Sequence, residues 1–79
     1  MIHAEFETTD IVLAAVLKVK MCELMNIVRN GNTNIGTFVF SNVDDKLLNE
    51  FNLGKSLVEP ITFNNTIKQL TTSVRRMVD

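Results

Sequence analysis

The segment Pro60–Val78, PITFNNTIKQLTTSVRRMV, carries the longest periodic signal in the chain. Phe63, Ile67, Leu70, Val74 and Met77 recur in it at steps of four, three, four and three, which lines them along one face of a helix. Pro60 suits the first helical position, where its missing N–H would have had no partner within the helix. Arg75 and Arg76 fall in the last turn, where positive charge complements the unsatisfied carbonyls. The spacing therefore predicts a helix over Pro60–Val78 with one apolar stripe. The rest of the chain must supply the surface that buries it.

A chain of 79 residues without an internal repeat makes one domain, residues 1–79. Such a chain buries only about 60% of its unfolded surface. A core this small supplies roughly 3–5 kcal/mol unless a disulfide, a metal or a partner chain adds to it. The single cysteine, Cys22, forms no disulfide within the chain, and with the single histidine, His3, it falls short of the ligand set of a structural zinc site. Self-association gains weight as the remaining source of stability. Hydrophobic residues make up 46% of the chain and the net charge is −1, so there is no general attraction for nucleic acid and little repulsion between copies. The opening residues have neither a basic n-region nor a long apolar run. The longest uncharged apolar run, Ile11 to Leu17, is seven residues, against the ~20 that a membrane span needs. An intracellular protein without a membrane segment is expected.

In chain order, Ile2, Ala4 and Phe6 alternate with His3, Glu5 and Glu7, the period of a short edge strand. Thr8-Thr9-Asp10 offers a helix start, and the helix that follows, Asp10 to Val19, is apolar nearly all round. It should be covered on more than one side. Cys22–Arg29 and Ile35–Ser41 flank Asn30-Gly31-Asn32-Thr33-Asn34, residues that tolerate positive φ, and read as a β-hairpin. In its second strand Phe38 and Phe40 share one face while Ile35, Thr37 and Val39 share the other; in its first, Leu24 and Val28 oppose Met25 and Ile27. Both faces thus carry apolar side chains, whereas so small a domain covers one. Ser41 to Asp45 offers caps for a second helix, with Val43, Leu47, Leu48 and Phe51 at helical spacing and Gly54 as its stop. Leu57 and Val58 are expected to anchor the connector that leads to Pro60. The order is (β)αββαα: an α+β domain in which an antiparallel hairpin, with the N-terminal segment as candidate third strand, packs with three helices.

Thr9-Asp10 followed by Ala14-Ala15, then Phe38-Val39-Phe40, then Val58-Glu59-Pro60 with Phe63, then Lys68-Gln69-Leu70 stand in an order that resembles a family of small phage and bacterial proteins classed as a domain of unknown function. The resemblance spans Phe6 to about Val78. Glu59 stands where the family has Asp, and Asn30–Asn34 is longer than the family's turn. The resemblance implies the same α+β fold and a phage or prophage origin, hence the cytoplasm of a bacterial host. It brings no activity, cofactor or catalytic residue.

Nucleophilic catalysis needs a nucleophile, a base and a group that orients the base. The only histidine lies near a terminus, where a solvated imidazole is the plain reading, and Cys22 reads as a small buried apolar residue at a strand start. Asp44 and Asp45 read as helix caps rather than a cation site, and Gly31 to Gly36 as a hairpin turn, since no Lys-Ser/Thr and no helix follow it. Asn64-Asn65-Thr66 matches a glycosylation acceptor inside a helix of a chain without a secretory signal, and is set aside. No catalytic, metal or cofactor-binding residue is assigned, and the chain reads as a non-enzyme.

The favoured function is protein–protein interaction or homo-oligomerisation through the second apolar face of the hairpin, with Met25, Ile27, Ile35, Thr37 and Val39 as contacts. The alternative is a nucleic-acid-binding accessory protein using Lys68, Arg75 and Arg76 on the polar face of the last helix, where Asn64, Asn65, Gln69, Thr71 and Thr72 add amides and hydroxyls and no acid intervenes. Three cations are a small footprint for that role. Phe38 and Phe40, the candidates for base stacking, are two of five Phe in a chain lacking Trp and Tyr, and the core has first use of them.

Overall fold

A computed structural model describes residues 2–29, 31 and 35–76 of the chain. Met77 of the expected stripe, with Asn30 and residues 32–34 of the expected turn, lies outside the described residues. The elements are β1 (Ile2–Thr8), α1 (Ile11–Val19), β2 (Glu23–Arg29), β3 (Gly36–Asp44), α2 (Asp45–Asn52) and α3 (Pro60–Arg76). This is the expected βαββαα order, and the N-terminal segment is a full strand. The three strands form one antiparallel sheet in the order β1-β3-β2, so the second hairpin strand is central and pairs on both sides.

Phe40 stands between Phe6 and Leu24, and Phe38 between Thr8 and Ile27. Residues directly opposite one another share a face, so these side chains make one apolar surface. Two helices cover it. From α1 come Ala14, Ala15 and Leu17, and from α3 Leu70 and Val74, all in one core cluster with Phe38, Phe40 and Val43. Ala14 to Leu17 are four consecutive buried residues, as expected of a helix packed against both the sheet and α3. The α3 stripe includes Thr66, whose hydroxyl donates to the Thr62 carbonyl at 2.8 Å and so tolerates burial.

Helix ends follow local chemistry. Asp10 caps α1, its Oδ1 accepting from the N–H groups of Val12 (2.9 Å) and Leu13 (3.3 Å), while the Thr8 hydroxyl accepts from the Asp10 N–H. Asp44 caps α2 through the Lys46 N–H at 3.0 Å. At the end of α2 the Gly54 N–H reaches Phe51 O and the Lys55 N–H reaches Glu50 O, with Gly54 at φ +70°. That is a Schellman motif. The same pair of bonds closes α1, from Met21 to Lys18 and from Cys22 to Leu17. There the left-handed residue is Met21, also at φ +70°, where a side chain costs about 1–2 kcal/mol. Glu59 caps α3 despite its longer side chain, accepting from the Thr62 N–H at 2.6 Å.

Several expectations give way to the three-dimensional fold. Cys22 closes α1, and β2 begins at Glu23. Leu24 and Ile27, not Leu24 and Val28, face the core, because the β2–β3 register shifts by one residue between Leu24 and Asn26. Met25 is the extra residue of this bulge, and a bulge reverses the alternation beyond it. Val43 belongs to β3 rather than α2 and is fully buried three residues after Phe40. The change of face falls at Asn42, whose φ is +55°. In β1, His3 and Phe6 are half-buried and Ile2 and Ala4 exposed, against strict alternation. Leu57 is 83% exposed, so Val58, half-buried, is the residue that the connector turns inward.

Gly36 is a strand residue at a close approach, not part of the turn. A Cβ there would lie 2.9 Å from Val74 Cγ2 and 3.3 Å from Ile27 Cγ2. Gly36→Ala should cost about 1–3 kcal/mol, the usual penalty of overpacking. In a Val74→Ala background, which clears the space, the urea midpoint should fall by much less on the same change. Met21→Gly should raise stability by about 0.5–1 kcal/mol by relieving the left-handed strain, since the Met21 side chain is 89% exposed and has no packing to lose. The N–H of Thr62, with the Thr62 hydroxyl and the Ile61 N–H, holds the Glu59 carboxyl below its ordinary value. A carboxylate lowered on folding stabilises above its unfolded pKa and loses that contribution as pH falls through the folded value. Thermal melts from about pH 6 to about pH 3 should therefore show wild type above Glu59→Gln at the upper end and the two converging at the lower.

Candidate interaction surface

The molecule measures 36 × 28 × 19 Å along its principal axes. The 19 Å dimension suits one sheet and one layer of helices about 10 Å apart, and leaves no room for a third layer. With α1 and α3 both on the Phe38–Phe40 side, the opposite face of the sheet is open. Cross-strand register fixes what stands on it. Ser41 lies between Glu5 and Glu23, Val39 between Glu7 and Asn26, and Thr37 beside Val28.

Val39 is the centre of this face. It is 8% exposed yet outside the core cluster, and Glu7 and Asn26 flank it across the sheet. Val28 at 45% exposed adds apolar surface beside it, and Met25 on the bulge is also exposed. Glu5, Glu7 and Glu23 are exposed along both flanks. Among the described strand residues no lysine or arginine stands on this face, but Lys20, between α1 and β2, borders a depression with Glu23 and Ser41 at one end of it.

Of the five contacts expected from sequence, Thr37 and Val39 lie on the open face together, and Met25 lies at its bulged edge strand. Ile27 does not: the bulge turns it into the core against Phe38. Ile35 precedes β3 and lines a cleft of about 290 Å³ with Thr9, Ile11, Phe38, Thr71 and Arg75 on the helix side. Val28 takes the place expected for Ile27. The three glutamates were missed as site residues, although Glu5 and Glu7 at alternate positions of β1 already signalled a polar outward face.

The alternative site is also placed. Lys68, Arg75 and Arg76 are all exposed on the side of α3 away from its buried stripe. Lys68 and Arg76 border one shallow depression with Gln69, Thr72 and Ser73, while Arg75 belongs to the cleft beside Ile35. Neither α1 nor α3 contains an acid.

Residues of chemical interest elsewhere have structural partners. His3 is half-buried, its Nε2 in contact with Asp45 Oδ1 at the start of α2 and its ring 6.1 Å from that of Phe6. This differs from the solvated imidazole expected, because strand pairing with β3 brings residue 3 beside the strand-to-helix junction. Cys22 is half-buried against the core, and burial pushes its thiol above the ordinary value, away from the reactive thiolate. Among the described residues no three His, Cys, Asp or Glu side chains gather as metal ligands, and no helix is long and apolar enough to cross a membrane. No protein-family model, curated protein or solved structure matches the chain.

Proposed function

We propose that this chain is a small non-enzymatic accessory protein, of phage or prophage origin and acting in the cytoplasm of a bacterial host, that works by protein–protein contact and self-association through the open face of its sheet. The observation that supports this reading is the one-sided covering of the sheet: both packed helices lie on the Phe38–Phe40 side, while Val39, Thr37, Val28 and Met25 stand on the other side or its edge. The phage origin rests on the order of the motifs alone. No cofactor enters this reading.

A second reading has its own observation. Lys18, Lys68, Arg75 and Arg76 are the only charged residues within α1 and α3, so beyond the capping Asp10 and Glu59 the helix layer offers positive charge to nucleic acid. Three or four phosphate contacts make weak, strongly salt-dependent binding.

Ser41→Tyr places a bulky, uncharged obstruction on the central strand of the open face, between Glu5 and Glu23, with a residue that strands accept. Light scattering behind a sizing column, over a range of concentrations, should give wild-type masses above the 8.9 kDa of one chain and a single-chain mass for Ser41→Tyr. Equal association of the two proteins would overturn the use of this face. A wild-type protein fixed at the monomer mass would overturn self-association, and binding to duplex or single strands that is lost in Arg75→Glu would establish the second reading.

A further inference from the structure

The open face of the sheet and the outward side of α3 differ in the sign of their charge. The strands of the open sheet face bear Glu5, Glu7 and Glu23 and no cation, with Lys20 at its rim beside Glu23, while the outward side of α3 bears Lys68, Arg75 and Arg76 and no acid, with Lys18 of α1 exposed in the same layer. Neither set is engaged in an ion pair among the described residues. A net charge of −1 conceals this difference, because it sums all eight cations and nine acids of the chain.

The segregation determines which self-contact the sheet face can make. Face against face, two copies would bring six carboxylates together around a small apolar centre, Val39 with Val28, and like charges so placed oppose association. Sheet face against helix layer, each glutamate of one copy meets the cations of the next. We propose that the occupant of the open sheet face is the α3 side of a second copy, so that copies associate head to tail. This rests on the reading of the open face as the interaction face, and it adds the identity and orientation of the partner. Such a contact is heterologous: each copy keeps a free sheet face at one end and a free helix layer at the other, and association continues beyond the dimer. The contact is also electrostatic in origin, since the apolar area at its centre is small, and it weakens as ions screen it.

The test is charge exchange. One variant carries Glu5→Lys, Glu7→Lys and Glu23→Lys; the other carries Lys68→Glu, Arg75→Glu and Arg76→Glu. All six positions are exposed, and circular dichroism checks that each variant folds. Because acids at the end of α3 oppose its dipole, a third variant with Arg75→Gln and Arg76→Gln serves if the second does not fold. Masses are measured by light scattering as before. In wild type, mass should climb past the dimer with concentration, and association should weaken about tenfold or more between about 20 mM and about 500 mM salt. Each charge-reversed variant alone should remain a monomer, having two faces of one sign, and an equimolar mixture of the two should associate again. With the glutamine variant in place of the second, loss of wild-type association is the expected result.

Three outcomes overturn the inference. A wild-type assembly that stops at the dimer and ignores salt, is blocked by Ser41→Tyr and survives reversal of the α3 charges would keep the open face as the interface and remove the α3 side as its occupant. Association by either reversed variant alone at wild-type strength would do the same. A wild-type protein that stays monomeric at low salt would overturn both the inference and self-association.

Discussion

Phe38 and Phe40 have to be dry on one side of a strand that is paired on both edges, and the rest of the molecule is arranged to meet that demand. Burying one such ring is worth roughly 2–3 kcal/mol, so the pair represents a large part of what a core of this size supplies. Two helices are the least covering that reaches both rings. α1 approaches closely because two of its buried residues are alanines, and α3 approaches closely because Gly36 has no side chain to hold Val74 away. The remaining helix, α2, follows directly on β3, sets Leu47 and Leu48 against the core and buries no residue completely.

One-sided covering also explains how charge is distributed. Residues on the open face must be tolerable in water, and Glu5, Glu7, Glu23, Asn26 and Ser41 are, with Val39 sheltered between them. Along α3, the side away from the stripe is filled with amides, hydroxyls and cations. These two outward surfaces therefore meet water with side-chain charge of different sign. The polarity of the slab is a product of that division.

The element order was legible because it rests on local signals: the stripe of α3 and the aspartates and Gly54 that bound the short helices all act within a few residues. The faces of the strands were not. A single extra residue at Met25 and one left-handed residue at Asn42 reverse the alternation, and neither leaves a mark in composition or periodicity. The grouping of residues by strand face was accordingly legible in part: Thr37 and Val39 share a face as expected, while Ile27 faces the core and Ile35 precedes β3. Gly36 was misread for a related reason: its requirement comes from Val74, thirty-eight positions away, and close approach between distant segments has no local signature.

The sheet has two free edges, and they are not alike. β2 ends the sheet on one side with its bulge at Met25, and the Ile27 amide is taken up by the Asn26 side chain at 2.9 Å. Both features interrupt the regular row of donors and acceptors that an incoming strand would need. β1 on the other side keeps one register against β3 from Ile2 to Thr8 and contains no proline and no lysine. Its remaining deterrent to strand addition is the like charge of Glu5 and Glu7. Of the two edges β1 is thus the one that keeps the regular row of donors and acceptors, guarded by side-chain charge rather than by broken backbone geometry.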